Sequence, residues 1–432
     1  MPSGFNSAII GRRFGSKCPA KGFFIIAATV PTRSGGVTTG PPSCRIVSTV
    51  TIVFRMLIMA ISSPRIQPMH QHKVERHLGA SISPLRRKHW LAKSGVLLVV
   101  IIPLAFSSSL FATELLINTF WPPAHLMRQE VFNRWISDVA RVTEGRVTGR
   151  FPTSTLAPPS RQWHMVTSGI ADVGIVFNGF ERNRLHLSTV AELPFGTPSA
   201  EAASVALWRT YKRYFEKAEE YSGVKLLGLM THSGGDLYSL RTAIQHVSDL
   251  EGLKIRTTDG SSSDAIETLG GVAVPSSGIG AYQLVSRGIV DGLIMPTGDM
   301  RTFNMLQYTD YAVTIPGKIY NGSFSLFMNL ETWNSLSGID QQAILTVSGE
   351  TFAHHARAWD ESDRLAIEEM GHRGIERSIA SEPFLDELRA RLAFIDDTWI
   401  RETDRRGVNG RAALDYFRTE ARRIATSLET LE

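Results

Sequence analysis

Cysteine is nearly missing from this 432-residue chain. It occurs twice, at Cys18 and Cys44, and nowhere after residue 112. The stretch 113–432 therefore holds no disulfide framework, no thiolate metal site and no cysteine nucleophile. Such a composition suits an oxidising compartment, where a stray thiol is a liability. The same stretch lacks GxSxG, HExxH, a Walker loop and a GxGxxG following a strand. The usual marks of serine hydrolases, zinc peptidases and nucleotide-binding enzymes are thus absent. It also lacks internal repeats and low-complexity segments, which argues against a scaffold role.

Acidic residues are almost missing from the N-terminal quarter. Residues 1–112 contain 14 of the 46 Lys/Arg but only one of the 41 acids, Glu75. The stretch 113–432 then carries 32 basic and 40 acidic side chains, a net charge of −8, although the whole chain stands at +5. The positive sum belongs to the leader, so it supports no nucleic-acid partner. Hydrophobic residues at 43% and charged residues at 20% are ordinary for a folded chain, and a stretch as long as 113–432 can form two packed domains. Residues 1–68 show no sustained periodicity. They read either as an unstructured extension or as sequence upstream of a start at Met59 or Met69. Residues 69–112 have a secretory layout: Arg86, Arg87 and Lys88, then the apolar run GVLLVVIIPLAF (95–106), then SSSLFA (107–112). That run has 12 residues, short of the roughly 20 that span a bilayer. A signal peptide cleaved after Ala112, with a periplasmic product, is expected. An uncleaved anchor extending through 115–117 is the alternative. No other segment is apolar enough to cross a membrane.

After residue 112, short β-rich runs alternate with helical patterns. Strands are expected at 114–120, 146–151, 171–177, 224–230, 253–257, 272–275 and 290–294. Helices are expected at 125–143, 160–168, 200–220, 261–269 and 281–287, with long helical stretches at 340–372 and 383–428. Alternation of this kind argues for α/β layers.

The order of motifs resembles the solute-binding proteins of tripartite ATP-independent periplasmic (TRAP) transporters. The matching stretches are VTEGRVTGRFPTSTL (142–156), SGIADVG (168–174), LPFGTP (193–198), SDLEGLKIR (248–256), LGGVAVP (269–275), AYQLVSRGIVDG (281–292) and ETWNSLS (331–337). In order and spacing the resemblance extends over essentially all of 113–432. It implies an α/β, two-domain, periplasmic-binding-protein-like fold with a hinged cleft and a long bridging helix at 340–372. It assigns residues 113–234 plus 323–362 to one domain and 235–322 plus 363–432 to the other. It implies a non-enzymatic protein, without a cofactor, that captures a small organic carboxylate and hands it to TRAP permease subunits in the membrane; it names no metal-ligating residue and leaves open whether a metal accompanies the ligand. Reporting the ligand to a signalling receptor, or catalysis, are the alternatives.

Arg256, at the end of the LKIR strand, matches the arginine that in similar proteins pairs with the ligand carboxylate. A guanidinium offers a planar fork of donors that fits a carboxylate. From the sequence alone, Arg256 could instead pair with Asp259 or Asp264. Where sialic-acid and dicarboxylate members carry Asn, this chain has Met295. After the SGIADVG strand it has Phe177, Asn178 and Phe180. A second arginine's neighbourhood is Gly234, Gly235 and Asp236, and an aromatic position is Gly278. One arginine in an apolar, aromatic cleft favours a monocarboxylate with an apolar or aromatic body, because extra hydroxyls or carboxylates would lie unpaired. Phe177 and Phe180 could equally be core residues. Trp121, able to stack on a planar ligand, and His125, Tyr320 and Asn321 complete the expected contacts.

Overall fold

A computed structural model describes residues 112–430. The expected extension (1–68) and signal peptide (69–112) lie outside these residues, Ala112 apart. Eleven strands form among the described residues: β1 (Thr113–Leu116), β2 (Val147–Arg150), β3 (Val173–Phe177), β4 (Val224–Thr231), β5 (Asp236–Ser239), β6 (Lys254–Thr257), β7 (Val272–Pro275), β8 (Gly292–Met295), β9 (Tyr311–Thr314), β10 (Ser323–Asn329) and β11 (Glu376–Ile379). β1 and β2 pair in parallel. β10 lies antiparallel between β3 and β4. A six-stranded sheet runs β11-β9-β5-β8-β6-β7. The architecture is two-domain α/β, with one domain around the first strands and β10, and the other around the six-stranded sheet.

The apolar run VGIVF makes β3 buried at every position, as expected of a strand covered on both faces. β10 (SFSLFMN) is equally buried but alternates serine with apolar residues. Its hydroxyls are paired inside: Ser323 donates to Glu192 at 2.8 Å and Ser325 donates to Asn178 at 2.6 Å. The chain passes between the two large sheets after β4 and before β10, where Gly235 and Tyr320 form an isolated bridge.

The stretch 340–372 is helical but falls into three pieces, Gly338–Thr346, Glu350–His354 and Arg357–Arg373. The first break lies at Gly349, where φ is +60° and the N–H donates to the Leu227 carbonyl at 2.6 Å. The long bridging helix is therefore the last piece, of 17 residues. Two carboxylates one turn apart on it hold helices that lie beside different sheets. Asp360 accepts from the N–H groups of Ala200 and Glu201 at 2.7 and 3.0 Å, which start the helix Ala200–Thr210 beside β4. Asp363 accepts from Gly298 N–H at 2.6 Å, on the helix Thr297–Thr302 after β8. These N–H groups have no partner within their own helices, so acceptors are needed there.

Other boundaries shift for local reasons. The helix expected at 125–143 opens with a π-type turn, Met127–Phe132, before Asn133–Val142. The helix expected at 383–428 divides into Glu382–Arg405 and Gly410–Glu429, with Asn409 capping the second through the Ala412 N–H. That last helix packs along Ala200–Thr210, next to β4 rather than the six-stranded sheet.

Candidate functional site

Residues following several strand ends converge on one point: Phe120 and Trp121 after β1, Phe180 after β3, His232 after β4, Thr258 after β6, Ser277 and Gly278 after β7, and Pro296 and Asp299 after β8. This is where open α/β sheets place ligands, outside the carboxyl ends of their strands. With Pro159, Phe177, Arg256, Met295, Tyr320, Phe324 and Trp359 they line a cavity of about 60 Å³.

The lining is mixed in chemistry. Part of it is aromatic. Phe120 stacks on Trp121 with ring centroids 4.0 Å apart, and Trp121 meets Phe324 at 5.3 Å. Phe177 stands edge-on to Phe180 at 5.0 Å and tilts against Phe324 at 5.7 Å. Trp359, from the bridging helix, packs against His232 at 5.7 Å. The rest of the lining includes the polar Arg256, Thr258, Ser277, Tyr320 and Asp299.

Arg256 is 1% exposed. Its Nε donates to Ser276 Oγ at 3.1 Å, Nη2 to the Ser276 carbonyl at 2.6 Å and Nη1 to the Ile294 carbonyl at 3.1 Å. Three of the five guanidinium N–H groups are thereby fixed, leaving one on each terminal nitrogen. Among the described residues no carboxylate forms an ion pair with it, so the pairing with Asp259 or Asp264 is not made. Burial lowers its pKa, and the nearby Tyr320 and Asp299 oppose that shift. A buried cation without a bonded anion is costly, and here it is held rigidly by neutral acceptors.

A relay of hydrogen bonds orients Tyr320. Gly234 N–H donates to His232 Nδ1 at 3.1 Å, so the ring proton sits on Nε2, which donates to Tyr320 Oη at 3.1 Å. Burial, helped by the charge of Arg256, pulls the His232 pKa down to about 3 and keeps the ring neutral. Burial pushes the Tyr320 hydroxyl up, so it keeps its proton. Its oxygen accepts from His232, and the hydroxyl also bonds Thr258, which shares the cavity.

Of the residues singled out in the sequence, Trp121, Phe177, Phe180, Arg256, Met295 and Tyr320 line the cavity. Four others do not line it, and each is turned to an internal partner. His125 Nδ1 accepts from Met127 N–H at 3.1 Å and its Nε2 donates to Asp299 Oδ1 at 3.0 Å. Asn178 bonds Ser323 and Ser325. Asp236 pairs with Lys318 at 2.7 Å and accepts from Ile315 N–H at 3.1 Å. Asn321 donates to Thr197 at 2.8 Å. The sequence reading missed Phe120, His232, Thr258, Ser277, Asp299, Phe324 and Trp359. For most of them position just beyond a strand was the available signal. Among the described residues no cluster of three or more His, Cys, Asp or Glu could hold a metal ion.

A family model for bacterial extracellular solute-binding protein, family 7, matches residues 117–400. The chain is 34% identical over 325 residues to the outer membrane transporter protein TsaT of Comamonas testosteroni, covering 75% of this chain and 96% of that one. Among solved structures, it resembles a TRAP periplasmic solute-binding protein from Bordetella bronchiseptica with bound (R)- and (S)-mandelate. That match has a TM-score of 0.70 and 29% identity, over 72% of this chain and 99% of the other. It also shares the fold of a TRAP solute-binding protein from Rhodoferax ferrireducens in complex with copurified benzoate, with a TM-score of 0.68 and 21% identity, over 73% and 99%.

Proposed function

The chain belongs to family 7 of the bacterial extracellular solute-binding proteins, the TRAP receptors, and on that premise we propose that it captures an aromatic or otherwise apolar monocarboxylate in the cavity at Arg256. The family is one of binding receptors, not catalysts, and its members work with TRAP membrane subunits in the periplasm. In this reading, residues 69–112 direct export and the loaded protein delivers the acid to its permease. No helix among the described residues is long and apolar enough to cross a membrane.

The observation that carries the reading is the two free N–H groups of a buried Arg256, without an ion-pair partner among the described residues, in a cavity also lined by aromatic rings. They would take the two carboxylate oxygens as parallel, charge-assisted bonds. Phe120, Trp121, Phe177 and Phe324 would sandwich the apolar body. A second carboxylate would lie against these rings, or against Met295, at about 1–3 kcal/mol or more per unpaired group. The mandelate-bound relative, at 29% identity, supports the same class. A cavity of about 60 Å³ is tight for a ring, since an apolar cavity that admits benzene measures about 150 Å³. Entry and binding therefore need the domains to part, and ligand contacts to both domains would draw them together again.

A thermal-shift panel tests this on the mature protein. Aromatic monocarboxylates should raise Tm at millimolar concentration. Stabilisation by sugar acids or dicarboxylates alone would overturn the proposal. Native mass spectrometry of freshly purified protein should also reveal a co-purified small acid.

A further inference from the structure

Asp299 is an unexpected neighbour for an anionic ligand. It is buried, lines the same cavity as Arg256, and sits on the helix that follows β8. β8 is the parallel neighbour of β6, with Arg256 opposite Leu293. The cation and the anion thus meet in one cavity, one from β6 and the other from the helix after β8, close enough for the Asp299 charge to act on the Arg256 guanidinium. Asp299 Oδ1 is occupied by the His125 Nε2–H at 3.0 Å, while among the described residues no donor reaches Oδ2. With His125 Nδ1 committed to the Met127 N–H, this imidazole acts only to hold the carboxylate in place.

A carboxylate here repels the carboxylate of a simple acid. It becomes an attraction if the ligand carries a hydrogen on oxygen or nitrogen close to its own carboxylate. Resting on the carboxylate-binding reading above, we propose that Asp299 is a specificity-determining acceptor, and that the ligand is an acid bearing a hydroxyl or ammonium donor beside the carboxylate. Arg256 takes the carboxylate and Asp299 Oδ2 takes the donor, so the ring is left to the aromatic side chains. A site that leaves a buried acceptor unpaired rejects the analogue lacking the donor, whereas an apolar contact discriminates weakly. Hydrogen bonds to charged groups of this kind translate into about a tenfold to hundredfold preference.

Three acids with one skeleton separate the possibilities: phenylacetate with no donor, mandelate with a hydroxyl, and phenylglycine with an ammonium. Isothermal titration of the wild-type protein should show mandelate or phenylglycine binding at least tenfold more tightly than phenylacetate. Whichever wins identifies the donor. Asp299→Asn keeps an oxygen for His125 but puts an amide NH2 in place of Oδ2. It should erase the preference and tighten phenylacetate binding, because the carboxylate that repels the ligand's own is gone. A preference below tenfold in the wild type overturns the proposal, and that comparison needs no variant to fold. A preference that survives in D299N overturns the assignment to Asp299, as does a D299N protein that loses all three acids equally. If the wild type binds none of the three and no acid of the wider panel, the carboxylate reading itself falls and takes this one with it.

Discussion

Replacing Arg256 by methionine removes the charge and keeps most of the volume, and its two consequences can be worked out separately. The ligand loses two charge-assisted hydrogen bonds, each about 1.5–3 kcal/mol. Affinity for the best aromatic acid should then fall by about a hundredfold to ten-thousandfold. The unliganded protein responds differently. The substitution strips donors from the carbonyls of Ser276 and Ile294, at about 1–3 kcal/mol each. It also relieves the burial of a cation that no carboxylate bonds, a term of several kcal/mol, offset in part by the lost attraction to Asp299. These effects nearly cancel, so guanidinium unfolding without ligand should place R256M within about 2 kcal/mol of wild type. Isothermal titration and denaturant unfolding on the same preparations check both halves. Retained affinity within tenfold would refute the role given to this guanidinium. A large stability loss would refute the argument that it is held at a cost for the sake of its ligand.

Two further substitutions probe the frame around the site. Burial pushes the Glu192 carboxyl from its ordinary 4.5 up to about 7, despite bonds from Ser323. A raised folded-state value means the folded protein keeps a proton that the unfolded chain gives up. This contribution to stability is complete below about pH 4.5 and is lost as the pH climbs to about 7, a change of about 3 kcal/mol. Glu192→Gln mimics the protonated form, so its stability relative to wild type should improve from pH 5 to pH 8; a constant or falling difference in denaturant titrations would contradict this. Gly349→Ala should destabilise by about 2–5 kcal/mol, because φ is +60° there and a Cβ would come within 2.7 Å of the Trp208 ring; a shift in denaturant midpoint worth under about 1 kcal/mol would show that this break in the helix is not fixed by backbone geometry.

The elements most legible in the sequence were those whose burial is written in apolar runs. β3, β4 and β8 declare themselves this way. β10 does not, because serines occupy alternate buried positions and are satisfied by Asn178 and Glu192, partners remote in sequence. β11 (ERSI) is exposed at all four positions and owes its form to pairing with β9. The site divides along the same line. Arg256, Trp121, Phe177 and Phe180 were found through their place in or beside the motifs, while Phe120 was not. Trp359 and His232 could not be, since one enters from the bridging helix and the other is recognisable only once Gly234 and Tyr320 surround it. Conversely Asn178 directly follows the cavity residue Phe177 and His125 lies one turn beyond Trp121, yet their polar atoms answer to internal partners.

Asp360 and Asp363 act as two collars on one axle. If the halves part with both sets of bonds intact, the motion centres on that rod, and displacement grows with distance from it. Trp359, mounted on the rod itself, would travel least and serve as a nearly stationary floor. Side chains carried farther out would sweep the widest arc and set how large a guest can pass the rim.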